Sequence, residues 1–281
     1  HGANIAYLEL SRSGRCDSGS VMVPCPAFRE MAAAASADPT LDLGVHLTLT
    51  AEKARYRWGP LTGRSDAAGL TDGDGYLWRS VAEVRAHAHP EAVRAELTLQ
   101  IETALAADVD VTHLDDHMGA VLAPEFVEIY AELARRYRLP ILFPRSLAAY
   151  GPIHNIPGAH DADRHARVAR DLEAEGHRIV DRLLETPWRP TGPAAERYGD
   201  LFDRAGDGFT VFALHPNAPG EIEAIEPETA AVRVGEYELL AGPDGARLLD
   251  RLAARRIGMR ALRDELRAGG AERHDDRMLK H

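Results

Sequence analysis

Five consecutive residues, His113-Leu114-Asp115-Asp116-His117, bring two imidazoles and two carboxylates together. A borderline divalent cation takes such donors, and the same groups move protons in hydrolysis. Upstream, Asp108-Val109-Asp110-Val111 alternates as a strand does, which predicts His113, Asp115 and His117 on one face. A helix would instead place His113 and His117 one turn apart, and an exposed acidic turn is the plainer alternative. The alternation before the cluster and Gly119 after it favour a strand running into a loop. Two more histidines have a similar setting. His46 ends the run Leu43-Gly44-Val45-His46, and His215 follows Phe209 to Leu214 and precedes Pro216. Alone, His46 reads as a core histidine bonded to backbone and His215 as part of a rigid proline turn. Together they describe strands that deliver imidazoles at their C-terminal ends, where α/β proteins assemble their sites.

The elements needed to hold those residues follow from the pattern. Residues 3–13 read as a helix stopped near Gly14, 20–23 as a short strand, 27–36 as an Ala-rich helix, and 42–47 as a strand. From Glu52 to about Pro90 the periodicity fades, while Arg55, Tyr56, Arg57, Trp58, Tyr76 and Trp78 lie among Gly and Asp. This long insertion either lines a cleft or is a surface excursion anchored by its aromatics. A helix over 91–106 precedes the strand at 109–114. A helix begins at Pro124, a strand covers 139–143, and a Gly/Pro/His loop from Gly151 to Ala159 leads into a helix over 163–184. Beyond the Pro-rich stretch 187–193 come a helix, the strand 209–214, a helix over 243–255 and a strand-like 257–262. The repeated strand–helix units predict an α/β fold: a distorted (β/α) barrel of mostly parallel strands wrapped by helices. No internal repeat or boundary is visible, so residues 1–268 are expected to form one domain, with 269–281 a disordered charged tail.

Composition narrows the functional classes. The chain has 281 residues, 45% apolar and 27% charged, enough for a full core. A formal net charge of −11, with no basic stripe, argues against nucleic acid and anionic membranes as partners. No apolar stretch approaches the roughly 20 residues of a membrane span. The two cysteines, Cys16 and Cys25, are too few for a disulfide framework. Free thiols in a cytoplasmic protein are the favoured reading, with a single bridge left open. No signal peptide is visible. The chain opens His1-Gly2-Ala3-Asn4 without Met and enters a helical pattern at once, as though a first strand and its loop preceded it. Homo-oligomerisation is left open, since no exposed apolar stripe stands out.

Splitting an unactivated amide needs a strong nucleophile and stabilisation of the oxyanion, and one divalent metal supplies both. The sequence has no Gly-x-Ser-x-Gly elbow, Walker loop, Gly-x-Gly-x-x-Gly after a strand, or His-Glu-x-x-His. Three segments do match a known pattern in order and spacing: Gly44-Val45-His46-Leu47-Thr48-Leu49-Thr50, Thr112-His113-Leu114-Asp115-Asp116-His117 and Leu214-His215-Pro216. With Gly19-Ser20-Val21-Met22-Val23, the chain resembles the YdjC-like carbohydrate deacetylases, the chitooligosaccharide deacetylase type, from residue 1 to about 266. The resemblance implies a distorted barrel with one divalent metal, Mg²⁺ favoured and Zn²⁺ the alternative, held by His46 and His117 and by an Asp from an N-terminal Asp-Asp-Phe-Gly loop. It implies hydrolysis of the N-acetyl group of an amino sugar, releasing acetate. Asp115 would orient a ligand imidazole, and His215 would protonate the departing amine or steady the intermediate. These two are the catalytic candidates; Arg145 and His113 are candidates for holding substrate. Two departures stand out. The Asp-Asp-Phe-Gly loop, expected just before His1, is not in this sequence, and Asp116 replaces a small hydroxyl residue before the ligand histidine. Two other functions compete with this reading. One is a non-catalytic carbohydrate-binding protein that stacks sugars on Trp58, Tyr76 and Trp78; the other is a hydrolase of another, for instance lipid-linked, sugar amide.

Overall fold

Short apolar runs become parallel strands in this chain, most deeply buried at Leu43–Leu47 and over residues 111–114. The computed structural model describes residues 1–150, 156, 158, 160–189, 191–252 and 256–278. In chain order the elements are α1 (Gly2–Arg12), β1 (Gly19–Val21), α2 (Phe28–Ala37), β2 (Leu43–Leu47), α3 (Val81–His87), α4 (Pro90–Ala106), β3 (Val111–Asp116), α5 (Val127–Tyr137), α6 (Ala162–Ala174), β4 (Arg182–Glu185), α7 (Ala194–Phe202), β5 (Thr210–Ala213), α8 (Ile222–Ile225), α9 (Pro227–Ala241), α10 (Pro243–Asp250) and α11 (Met259–Met278). β1, β2 and β3 form one parallel sheet and β4 and β5 another. Single parallel bridges connect them, from Leu114 to Ile141 and from Pro144 to Val180. The strand expected over 139–143 is thus reduced to bridging contacts, secured by Leu142 N–H donating to Leu114 O at 3.0 Å and Arg145 N–H to Val180 O at 2.8 Å. Parallel pairing forces long crossovers, and most of them carry helices. The architecture is therefore mixed α/β with parallel strands. Among the described residues no ladder joins β5 to β1, so the sheets are not closed.

One irregularity sets up the site. Leu43 pairs with Val111 but Val45 pairs with Leu114, so β3 carries one residue more than β2 over that interval. Without this bulge His46 would lie beside Leu114. With it, His46 pairs with Asp115 and Leu47 with Asp116. Gly44 makes room for the bulge, because a Cβ there would stand 2.6 Å from the His113 ring.

The insertion is anchored by buried polar groups. The fully buried carboxylate of Glu96 on α4 accepts hydrogen bonds from Leu61 N–H at 3.0 Å and from Thr62 N–H and Oγ1–H at 2.9 and 2.8 Å. Trp58 is buried and donates from Nε1 to Thr50 O at 3.0 Å. Trp78 donates to Gly69 O at 2.8 Å and stacks on His87 with centroids 4.4 Å apart. Both tryptophans act as anchors for the loop.

The structure departs from the sequence reading in the second half. The helix expected over 163–184 stops at Ala174, because Gly176 turns the backbone to φ +97° and the chain then extends into β4. Helices α8 and α9 occupy a stretch for which the sequence suggested no element. The strand-like 257–262 belongs instead to the turn that starts α11, where Arg260 N–H finds the Asp42 carboxylate at 2.8 Å, a favourable anion at a helix N-terminus. α11 runs to Met278, into the stretch 269–281 that the sequence marks as a tail. The loop Gly151–Ala159 lies mostly outside the described residues. Cys16 and Cys25 are both free thiols. Among the described residues no helix is long and apolar enough to cross a membrane.

Candidate active site

The C-terminal ends of β2 and β3 bring three of the singled-out residues together. His46 Nδ1 lies 2.9 Å from Asp115 Oδ1, and Ser20 Oγ, in the middle of β1, donates to Asp115 Oδ2 at 2.9 Å. The ladder pairing of His46 with Asp115 creates this contact, because paired residues point to the same face. The His117 ring stands edge-on to His46 with centroids 5.3 Å apart. Met118 and Gly119, both at positive φ, then turn the chain away. His117 Nε2 is 2.9 Å from Glu52 Oε2, and Lys53 bridges Glu52 at 3.1 Å and Glu226 at 2.6 Å. The insertion therefore contributes directly to the site.

Electrostatics follow from crowding charge into a half-buried pocket. Burial works to raise the Glu52 carboxyl, but the imidazole of His117 and the ammonium of Lys53 outweigh it and hold Glu52 well below the usual carboxylate range. Burial likewise opposes ionisation of Asp115 and His46, yet each favours the other's charged form, so Asp115 is lowered and His46 raised. Asp116 has no such partner. Burial pushes it up to about 7, with His46 pulling the other way.

His215 reaches the same pocket from the end of β5. Burial and then the positive charges of Arg233, His46, His117 and Lys53 hold it well below the ordinary histidine value, so it is neutral near pH 7. Trp188 lies against it with centroids 4.7 Å apart, and Arg233 sits 4.9 Å over the other ring of that pair, Trp188.

Two sequence candidates lie elsewhere. His113 is 2% exposed, bonded to Thr112 Oγ1 at 3.0 Å and packed on Gly44, so it underlies the pocket and does not face a substrate. Strand alternation places it on the same face as Asp115, but two positions deeper. Arg145 is held at the surface by Glu173 on α6, at 3.0 and 2.9 Å, and by Asp181 at 2.8 Å, all of them half-exposed groups. Its guanidinium is committed to those carboxylates. Sequence reasoning did not single out Glu52, Lys53, Thr186, Trp188 or Glu236. Glu236 had a signal: a carboxylate in the buried stripe Val232, Glu236, Leu239, Leu240 of α9.

The donors present fit a borderline divalent cation in kind: two adjacent imidazoles with carboxylates in contact. His46 turns Nδ1 to Asp115 and keeps Nε2 for a ligand, the usual arrangement of a metal-binding imidazole. Among the described residues no group of three or more His, Cys, Asp or Glu converges as a ready-made cage. His46 and His117 would supply two donors of a larger ligand set.

Several known proteins are similar to this chain. A carbohydrate deacetylase of Thermus thermophilus is 42% identical over 151 residues, 54% of this chain and 52% of that protein. One of Brevibacillus brevis is 32% identical over 143 residues, 51% and 54% of the two chains. The chain thus spans about half the length of these two curated relatives. A third carbohydrate deacetylase, from Geobacillus stearothermophilus, is 28% identical over 217 residues, 76% of this chain and 74% of its own. A crystal structure from Enterococcus faecalis V583, of a protein named for cellobiose-phosphate cleavage, superposes with a TM-score of 0.72 at 21% identity, covering 93% of each chain; it shares the fold. The profile of the YdjC-like proteins matches residues 1–251, a span that contains every residue of the pocket just described, and the chain belongs to that family.

Proposed function

We propose that this protein is a metal-dependent hydrolase that removes N-acetyl groups from amino sugars or their oligosaccharides and releases acetate. The observation that carries the reading is the meeting of His46, Asp115 and His117 at the ends of β2 and β3, with His215 near enough to feel the charges of both histidines, in a chain whose curated relatives are named carbohydrate deacetylases. His46 and His117 would hold one divalent cation, Mg²⁺ in preference to Zn²⁺, and such an ion supplies a water nucleophilic at neutral pH and polarises the amide carbonyl. Asp115 fixes the His46 ring through Nδ1, itself steadied by Ser20. His215, neutral at rest, takes up a proton as water adds to the carbonyl carbon and returns it to the nitrogen as the C–N bond breaks, so that acetate and the free amine leave. Glu52 and Lys53 close one side of the pocket, and Trp188 offers an apolar wall beside His215. We further read the open parallel arc as a distorted (β/α) barrel. Of the three rings behind the non-catalytic sugar-binding alternative, Trp58 and Trp78 are spent on anchoring the insertion, and Tyr76 stays exposed with Arg57 over its ring.

The test is acetate release from N-acetylglucosamine oligomers by this chain and by a longer form extended at its N-terminus with an Asp-Asp-Phe-Gly loop. Turnover is expected to depend on added Mg²⁺ or Zn²⁺, to stop with a chelator, and to fall on the order of 10²-fold or more in His46→Ala and His117→Ala. Undiminished turnover in both variants would overturn the site, and no acetate from the longer form under any metal would overturn the activity.

A further inference from the structure

Beneath His215 lies a buried carboxylate that the reaction as proposed does not use. Glu236, on α9, is 1% exposed. Its Oε1 accepts a hydrogen bond from the His215 backbone N–H at 2.5 Å. Its Oε2 accepts from Tyr198 Oη–H at 2.5 Å and from Thr186 Oγ1–H at 2.8 Å. Thr186 stands one residue past β4 and is 1% exposed, and its Oγ1 is also 2.9 Å from His215 Nδ1. The ladder continues here, since Thr186 N–H donates to Ala213 O at 3.1 Å, so Thr186 is held beside the start of the His215 segment.

Counting protons decides the direction of the bonds. A threonine hydroxyl has one hydrogen and two lone pairs. Above about pH 7, where Glu236 is ionised, its carboxylate is acceptor-only and claims that hydrogen, so towards His215 the oxygen can only accept. His215 Nδ1 must then carry a proton, and in the neutral ring Nε2 is left with its lone pair.

We propose that Glu236 and Thr186 are positioning residues that lock His215 in the Nδ1–H tautomer, so that Nε2 is the atom that takes up and returns the proton. The proposal rests on His215 being the acid–base group of the site described above. The pair does through a hydroxyl what a carboxylate bonded directly to a histidine does elsewhere: it selects the tautomer and aims the ring. Burial raises the Glu236 carboxyl, and the Tyr198, Thr186 and His215 donors work to keep it ionised. Trp188, lying against His215, limits the ring's freedom to turn over.

The test uses the full chain and the variants Thr186→Val, Thr186→Ser and Glu236→Gln, with folding followed by circular dichroism. Imidazole ¹⁵N shifts of His215 at pH 8 should report the Nδ1–H form in the wild type and in Thr186→Ser. They should report a mixture or the Nε2–H form in Thr186→Val. In acetate-release assays Thr186→Val should lower kcat on the order of 10²-fold with KM little changed, and Thr186→Ser should restore it. Glu236→Gln should fall between them. An unchanged tautomer in folded Thr186→Val would overturn the relay, as would kcat within about twofold of wild type. If the wild type releases no acetate, the deacetylase reading fails, and the nitrogen shifts still decide whether the relay exists.

Discussion

At the scale of single residues, the pocket is built from groups that would be unfavourable alone. His46 and Asp115 are each mostly withdrawn from water, and each makes the other's charge tolerable. Ser20 uses up the second carboxylate oxygen of Asp115, so the orientation of His46 is fixed from two sides. Glu236 is the opposite case. It has three donors but, among the described residues, no ion-pair partner, and burial moves its carboxyl from the ordinary 4.5 up to about 7. The consequence for stability has a definite sign. Between those two values the unfolded chain has released the proton while the folded chain still holds it. Stability therefore falls as pH rises through that window and levels off above about 7. The full penalty is bounded by about 1.4 kcal/mol per pH unit across it. Glu236→Gln removes the titration and keeps the shape. Melting curves at pH 5 and pH 8 should show the variant gaining on the wild type at the higher pH by a few degrees. An equal gap at both pH values would mean that Glu236 does not titrate there.

At the scale of elements, the bulge in β3 matters most, because a single extra residue puts Asp115 rather than Leu114 beside His46. Gly44 and His113 form its two halves, and their closeness yields a prediction. A methyl group at Gly44 would meet the His113 ring at 2.6 Å, too short for a carbon contact, and the neighbour is a packed ring with little room to move. Gly44→Ala is expected to destabilise the protein by about 1–3 kcal/mol through overpacking. His113→Ala should be costly on its own through the cavity it leaves. The double variant should be more stable than the sum of the two predicts, with a coupling of about 1 kcal/mol or more in denaturant unfolding. Additive effects would mean that the two residues do not share the bulge. The same element shows what could be read from letters. The apolar runs at 42–47, 109–114 and 209–214 and the histidines at their ends were legible because short apolar stretches ending in polar residues carry a local signature, deepest where β2 and β3 are buried. The bulge was not legible, since it depends on the register between two strands and not on either strand alone. That is why His113 looked like a pocket residue: alternation gave its face correctly but not its depth. Arg145 was misplaced for a related reason, as the end of a strand says nothing about the carboxylates of α6 and Asp181 that capture its guanidinium. Helix α9 escaped notice because a glutamate occupies its buried stripe, and that same glutamate is the functional clue.

At the scale of the whole molecule, the two edges of the strands are divided between stability and chemistry. At the N-terminal edge, α11 is fastened to the strand starts: Arg263 Nη1 donates to Asp110 Oδ1 at 2.5 Å and to Val111 O at 3.2 Å, and Asp42 meets both Arg260 N–H and Thr112 Oγ1–H. At the C-terminal edge His46 comes from β2, His117 from just past β3 and His215 from just past β5, spread over more than half the chain, and the insertion after β2 adds Glu52 and Lys53. An ion at that edge would tie together parts of the chain that backbone pairing leaves connected only through an open arc, so its binding should appear as global stability. A ligand that binds only the folded state adds RT ln(1 + [L]/Kd), about 2.7 kcal/mol at a hundredfold excess over Kd. For a protein of this size that corresponds to a rise in Tm on the order of 5–10 °C. Thermal melts with Mg²⁺, Zn²⁺ and chelator should show this rise in the wild type and its loss in His46→Ala and His117→Ala, independently of any turnover. Arg145→Ala should keep the full shift, because that side chain is held on the outer surface. A shift that survives both histidine substitutions would place the ion elsewhere in the molecule, and no shift with any divalent cation would leave His46 and His117 held only by their contacts with Asp115 and Glu52.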